Sequence, residues 1–390
     1  MNELTYKHYL YVGTFGKKGE GGGIGIFHYD PENGSAEYVK TVRTDVMAGQ
    51  MFIDAKRRVL YTVDERREDR STGEIGGRVF AFAIDDATGD LTEINHKSAF
   101  GTMTAYLTDD ATGNYIMVCN HSGMEWVTRV SRDFSGRYHL DAAYADTTLV
   151  LYPLEENGAI GDACDVRCFP VEGGFTSCLH SVLRSPDGEF YALCDRNHNR
   201  VYFFRLDYEH QRFVPSGTLE FPWGETHKGG HAPRYGAFHP TKKLFYFNSE
   251  YKPLLTTVAY DSNGGLSTVR IQDTIPQIAG IENMKYSQSD LRVSPDGRFL
   301  YELFRGVNAI CTYAVDDETG LPEMIQTHVL AGEGPRGLQF SPDGRFILVA
   351  NLDTGDVETL AVQSDGTVKP TGAREFGMMN PGNLSFYDIK

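Results

Sequence analysis

Long apolar runs are missing from this sequence, and no stretch approaches the ~20 residues that a membrane-spanning helix needs. The first residues, MNELTYK, lack the features of a secretory signal peptide and lead directly into a strand-like segment. No helical periodicity is sustained over several turns either. We therefore expect a cytoplasmic protein that has no membrane partner and is built from strands.

Positive charge is also in deficit. The 37 Lys and Arg residues are outnumbered by 53 Asp and Glu residues, so the net charge at pH 7 is −16. This balance disfavours nucleic acid as a partner, because phosphate backbones are bound by basic surfaces. An anionic substrate would need a local cluster of cationic side chains that overcomes the overall field.

Cysteine is sparse, and its six positions suggest neither a disulfide framework nor a zinc site. Cys164 and Cys168 are the only close pair, and no second pair has the spacing of zinc ligands. The glycine-rich segment 19–25 lacks the Gly-Lys-Ser/Thr of a phosphate loop, and no Gly-x-Ser-x-Gly elbow indicates a serine hydrolase. We predict no cofactor and no metal, although carboxylates distant in sequence could still meet around a metal.

What the sequence does contain is a repeated turn. Ser-Pro-Asp-Gly occurs at Ser185, Ser294 and Ser341, and a degenerate copy begins at His239. The prolines of these copies, at positions 186, 240, 295 and 342, are 54, 55 and 47 residues apart. Pro presets φ, Asp can cap the turn and Gly accepts a positive φ, so each copy predicts a β-hairpin. A repeat of this length indicates a solenoid, an array or a propeller.

Seven units fit one template of four strands, A to D, with the repeated turn between A and B. The units begin near residues 9, 51, 104, 179, 234, 291 and 337. The first unit lacks strand A, and the tail Gly382–Asp388 supplies it, which removes the open edges. We predict an all-β, seven-bladed β-propeller that forms one domain over residues 1–390, with an insertion at about 123–146 in the third blade.

Candidate site residues lie where strand A starts and strand B ends, because these two ends share one rim of the central channel. Polar residues at strand ends are also common simply because they leave the core. Four ionisable residues from three consecutive units should nevertheless converge, and we predict them to be catalytic: His180, Arg234, Glu250 and Arg305. The further rim residues, predicted to bind substrate, are Glu65, His121, Asp195, Arg336 and Asn351. His and Glu can exchange protons, and Arg can bind an anion or stabilise an oxyanion.

The ordered motifs of the chain resemble those of the seven-bladed propeller lactonases. This family includes propeller-type 6-phosphogluconolactonases and carboxy-cis,cis-muconate cyclases. The motifs are Tyr11-Val12-Gly13-Thr14, Leu60 to Glu65, the strand of His180, Ala232-Pro233-Arg234, and Gly334-Pro335-Arg336-Gly337. The resemblance covers essentially the whole chain.

This resemblance implies a metal-independent hydrolase of a small anionic sugar lactone such as 6-phosphogluconolactone, with His180, Arg234, Glu250 and Arg305 at its active site. Arg234 and Arg305 would bind the anion and polarise the ring carbonyl. Either Glu250 or His180 would activate water, and the other would assist ring opening.

The chain departs from the family pattern at several rim positions. Tyr235 follows Pro233-Arg234 where relatives often have His, Phe304 precedes Arg305 where Asn is usual, and Asp195–His198 replaces an Asp-Leu-Gly. Two alternatives therefore stay open: a lactonising muconate-type cyclase, and a propeller that binds a ligand or protein without catalysis. We expect a monomer or a weak homodimer.

Overall fold

A computed structural model describes residues 8–16, 22–69, 74–122, 126–222 and 230–389. Seven four-stranded antiparallel sheets are arranged as the blades of a ring, which confirms the predicted seven-bladed propeller. No helix among the described residues is long and apolar enough to cross a membrane. All six cysteines lie in the described ranges and are free thiols.

Each blade extends from an innermost strand at the channel to an outermost strand at the surface. In that order, blade 1 contains β32 (Pro381–Asp388), β1 (His8–Thr14), β2 (Gly23–Tyr29) and β3 (Ala36–Val42). Blade 2 contains β4 (Ala48–Asp54), β5 (Val59–Asp64), β8 (Arg78–Ile84) and β9 (Leu91–Ser98). Blade 3 contains β10 (Thr104–Asp109), β11 (Tyr115–Asn120), β14 (Thr147–Pro153) and β15 (Asp165–Phe169). Blade 4 contains β16 (Leu179–Arg184), β17 (Tyr191–Asp195), β18 (Arg200–Asp207) and β19 (Arg212–Glu220).

The remaining blades follow the same order. Blade 5 contains β20 (Pro233–Phe238), β21 (Leu244–Ser249), β22 (Leu254–Tyr260) and β23 (Leu266–Asp273). Blade 6 contains β24 (Ser287–Val293), β25 (Phe299–Arg305), β26 (Ala309–Val315) and β27 (Pro322–Val329). Blade 7 contains β28 (Pro335–Phe340), β29 (Phe346–Asn351), β30 (Asp356–Val362) and β31 (Val368–Phe376). Outside the blades lie the small hairpins β6 (Glu68–Asp69) with β7 (Glu74–Ile75) and β12 (Trp126–Arg132) with β13 (Tyr138–Tyr144), and a short 3-10 helix (Ile281–Asn283).

Blade 1 closes the ring with strands from both ends of the chain, as predicted. β32 pairs antiparallel with β1, from His8 opposite Asp388 to Gly13 opposite Asn383. The innermost strands of neighbouring blades contact one another around the whole circle, including β28 with β32 and β32 with β4. Closure thus pairs the exposed edge of β1, which would otherwise be free to associate with other chains.

Tyrosine side chains tie each of several blades to the next. Tyr11 on β1 donates its hydroxyl hydrogen to the carbonyl of Gly89 in the outer turn of blade 2, at 2.8 Å. Tyr61 and Tyr301 make the same bond to the carbonyls of Gly158 and Gly366, each at 2.8 Å. The tyrosine rings are buried between the blades, so each hydroxyl satisfies its hydrogen bond inside an apolar interface.

The repeated Ser-Pro-Asp-Gly turn has the predicted hairpin geometry. In the copy at Ser185, the Ser hydroxyl donates to the Asp187 carboxylate at 2.6 Å and accepts the backbone N–H of Phe190 at 3.0 Å. Gly188 has φ +70°, a conformation that other residues adopt only with strain. These turns join strands A and B at the end away from the predicted rim.

Candidate active site

The start of every innermost strand carries a bulge in its pairing with the second strand. The unpaired positions are residues 382, 49–50, 105, 180, 234–235, 289–290 and 336, in blades 1 to 7. A bulge removes a residue from the ladder and re-aims its side chain. Three of the predicted site residues, His180, Arg234 and Arg336, occupy such positions, so the bulges explain how ladder residues reach the channel.

A second ring of residues stands at the end of the second strand of each blade. Its members are Phe15, Glu65, His121, Arg196, Glu250, Arg305 and Leu352. In six blades the backbone N–H of this residue donates to a carbonyl in the loop before the innermost strand, as Glu65 does to Met47 and Glu250 does to Ala232, each at 3.0 Å. One backbone arrangement, repeated in these six blades, therefore brings one side chain from each of them to the rim.

Glu250 lies among three guanidinium groups. Arg196 Nη1 is 2.7 Å from Glu250 Oε2, Arg234 Nε is 3.6 Å from the same oxygen, and Arg305 Nη2 is 3.6 Å from Oε1. Burial alone would raise the pKa of Glu250, but Arg234, Arg196 and Arg305 together hold the pKa of this carboxyl far below its usual range. Glu250 is thus a permanent carboxylate that organises the arginines.

Burial and the neighbouring Arg336 and Arg305 lower the pKa of Arg234 to about 9, so this guanidinium remains charged at neutral pH. Its side chain is only 2% exposed, and Nη1 donates to the carbonyl of Ser289 at 2.8 Å. The side chain of Arg305 is 30% exposed. Arg305 is therefore open to a ligand, whereas Arg234 is enclosed.

The ring of His180 contacts two other aromatic rings beside the arginines. Its ring is 5.2 Å from that of His121 and 5.0 Å from that of Tyr235, both in edge-to-face geometry. Burial and the positive charge of Arg234 lower the pKa of His180 well below its ordinary value, and burial lowers the pKa of His121 to about 3. Both imidazoles are therefore neutral at pH 7.

Arg336 in blade 7 completes the cationic set, which comes from the four consecutive blades 4 to 7. Its Nη1 donates to the hydroxyl of Tyr235 at 3.2 Å, and its guanidinium stacks 5.3 Å from the ring centre of Phe15. The Tyr235 ring also lies 4.6 Å from the guanidinium carbon of Arg234. The Tyr that departs from the family pattern is therefore a direct neighbour of two site arginines.

The nine predicted site residues fall into two groups. The structure gathers seven of them around the channel rim: His180, Arg234, Glu250, Arg305, Glu65, His121 and Arg336. Asp195 instead accepts the backbone N–H of Cys178 at 2.9 Å and contacts His198, while Asn351 Nδ2 donates to Asp356 at 3.1 Å. Both side chains are fully buried and are held by these contacts with neighbouring loops and strand ends.

Sequence reasoning missed Arg196 and Tyr235 as site residues. Arg196 occupies the same position in blade 4 as Glu65 and Glu250 do in their blades, so its place in the repeat could have identified it as a site residue. Tyr235 shares a bulge with Arg234, and the length of that bulge cannot be inferred from residue types.

The expected insertion forms the hairpin β12–β13 over most of its length. Most of its side chains are exposed, including Trp126, Val130 and Leu140 at 57%, 71% and 69%. Residues 123–125 of the expected insertion lie outside the described ranges. Among the described residues, no group of three or more His, Cys, Asp or Glu side chains is placed to hold a metal ion.

Comparison with known proteins gives a consistent result. A family model described as "Lactonase, 7-bladed beta-propeller" matches residues 9–132 and 123–386. A 6-phosphogluconolactonase of Formosa agariphila is 25% identical over 355 residues, covering 89% of this chain and 90% of that protein. A 6-phosphogluconolactonase of Bacillus subtilis is 23% identical over 357 residues, with 90% of each chain covered. The fold is similar to that of a periplasmic gluconolactonase from Pseudomonas aeruginosa, with a TM-score of 0.81, 24% identity, and 98% and 99% of the two chains covered.

Proposed function

The chain belongs to the family of seven-bladed β-propeller lactonases, and from this premise we propose that it hydrolyses a small anionic sugar lactone such as 6-phosphogluconolactone at the channel rim. The observation that carries the proposal is the charge of the rim. Four guanidinium groups, from Arg196, Arg234, Arg305 and Arg336, gather there with the carboxyl groups of Glu65 and Glu250. In a chain of net charge −16, this local cationic excess suits an anion.

The accessible arginines are assigned to the substrate. Arg305 and Arg336 are only partly buried, and each can offer N–H groups to a phosphate or carboxylate in bidentate geometry. Arg234 is enclosed and holds Glu250 and the carbonyl of Ser289, so it positions the site rather than contacting the ligand. The neutral imidazole of His180 can donate a hydrogen bond to the lactone carbonyl oxygen as negative charge develops on it.

The test compares two lactones that differ by one phosphate. Hydrolysis of 6-phosphogluconolactone and of D-glucono-δ-lactone is followed by pH-stat, with the spontaneous rate subtracted. We expect a higher kcat/KM for the phosphorylated lactone. Arg305→Ala and Arg336→Ala should each lower that value about 10- to 100-fold, because a charge-assisted hydrogen bond contributes about 1.5–3 kcal/mol.

Arg270→Ala is the matched control, since this arginine pairs with Glu323 on the outer strands and should leave the activity unchanged. Dialysis against a chelator should also leave the activity unchanged if no metal takes part. If the protein hydrolyses neither lactone, or hydrolyses both with the same kcat/KM, the proposal of an anionic lactone as the substrate is refuted.

A further inference from the structure

Two glutamates occupy equivalent positions in the rim but have opposite surroundings. Glu65 in blade 2 and Glu250 in blade 5 each follow the second strand of their blade, and each donates its backbone N–H to the loop before the innermost strand at 3.0 Å. Two carboxyl groups whose environments separate their proton affinities are a common arrangement for acid–base chemistry. The contacts of each glutamate decide which of the two can exchange a proton.

Glu250 is unsuited to accept a proton. Its carboxylate is within 3.6 Å of Arg196, Arg234 and Arg305, and these charges keep the pKa of the carboxyl far below neutral pH although burial raises it. His180 is unsuited as well. An imidazolium at this position would be buried among Arg234, Arg336 and Arg196, which is why the pKa of His180 is lowered.

Glu65 has the contrasting environment. Its side chain is partly buried, and among the described residues none donates a hydrogen bond to its carboxylate. Its Oε2 packs directly against Gly49, where an added Cβ would be 2.3 Å away. Gly49 lies in the bulge at the start of β4, so the absence of a side chain there makes the room that the carboxyl occupies.

The charged groups that act on Glu65 come from three blades. Burial raises the pKa of Glu65 to about 7, the positive charges of Arg336 and Arg234 work in the opposite direction, and Asp64 adds a small further rise. The carboxyl group therefore populates both protonation states near neutral pH, as an efficient proton-transfer group requires.

On the basis of the proposed function, we infer that Glu65 is the group that exchanges the proton in lactone hydrolysis. The Glu65 carboxylate takes a proton from a water molecule as the water oxygen bonds to the lactone carbonyl carbon. The ring C–O bond then breaks, and the proton passes from Glu65 to the departing ring oxygen. One water is consumed, the product is the open hydroxy acid, and Glu65 returns to its carboxylate form.

The experiment measures kcat/KM for 6-phosphogluconolactone between pH 5.5 and 8 in the parent and in Glu65→Gln. The parent rate should rise about tenfold per pH unit below pH 7 and level off above it. Glu65→Gln should reduce kcat/KM about 10²- to 10⁴-fold and should abolish its pH dependence. Glu65→Asp should keep the pH dependence and part of the rate. Gly49→Ala, which displaces the carboxyl without removing it, should also lower the rate.

Unfolding measurements separate chemistry from folding. Because the folded-state pKa of Glu65 is above the ordinary value of 4.5, the parent should lose stability relative to Glu65→Gln as the pH rises from about 4.5 to 7. The inference is wrong if the parent hydrolyses the lactone and a folded Glu65→Gln variant keeps the same rate and pH profile. A parent that hydrolyses no lactone overturns the proposed function together with this inference.

Discussion

Replacing Glu250 with glutamine removes the negative charge from the centre of the arginine cluster and keeps the shape of the side chain. Its two oxygens are 2.7 to 3.6 Å from Arg196, Arg234 and Arg305, and the side chain is 14% exposed. Removing one partner of a buried ion pair costs roughly 3–5 kcal/mol. Because Gln can still accept a hydrogen bond from Arg196, we expect the lower end, about 3 kcal/mol.

This loss should be measurable as a shift in Tm. An unfolding entropy of roughly 2.1 cal/mol/K per residue over the chain converts about 3 kcal/mol into a decrease of about 4 °C. Differential scanning calorimetry at pH 7 measures it. The matched control is Glu220→Gln: Glu220 is 54% exposed and 3.1 Å from Arg200, so its loss should cost less than about 1 kcal/mol.

Two further measurements examine the cause of the shift. The pKa of Glu250 is depressed, so its contribution to stability is present above pH ~4.5 and the parent–variant difference should shrink as the pH falls below that value. Inorganic phosphate should raise the Tm of Glu250→Gln more than that of the parent, because an anion can replace the missing carboxylate. An unchanged Tm, or a decrease that phosphate does not reverse, would refute the proposed electrostatic role of Glu250.

Two other substitutions test groups around the site. Tyr235→Phe removes the hydroxyl that accepts a hydrogen bond from Arg336 at 3.2 Å. We expect about a tenfold higher KM for the phosphorylated lactone with a smaller change in kcat; an unchanged KM would show that this bond does not position Arg336. Glu302→Gln tests a carboxyl in the core of blade 6, where burial raises the pKa of Glu302 to about 8 despite the hydrogen bond from Tyr313. The free energy of unfolding in urea should fall for the parent, relative to this variant, as the pH rises from about 4.5 to 8. If this free energy has the same pH dependence in both proteins, the raised pKa of Glu302 is contradicted.

The repeat was sufficient to predict the fold. The Ser-Pro-Asp-Gly turns, the seven units and the C-terminal strand that completes blade 1 are all local patterns of residues, and the structure has each of them. The family resemblance seen in the sequence is confirmed by the family model. A cytoplasmic location and the oligomeric state stay predictions.

The candidate site was harder to predict from the sequence, because β-bulges determine which of its side chains reach the channel. Strand order places His180 and Arg234 on the rim, but only the register shifts bring them out of the ladder. The choice of Asp195 over Arg196 had a different cause, because neither residue lies in a bulge. Both residues stand at the end of one strand, and the one-residue difference decides whether a side chain supports a loop or pairs with Glu250.

The closure of blade 1 sets the order in which the chain can be completed during synthesis. Blades 2 to 7 are each built from strands close together in sequence, whereas β1 must wait for β32, which follows it by about 370 residues. At ribosomal rates of 5–20 residues per second, this delay is roughly 20 to 70 s. During it the edge of β1 is unpaired and open to other nascent chains. A rearranged gene that places residues 381–388 directly before β1 would encode every blade from neighbouring strands and would remove this interval.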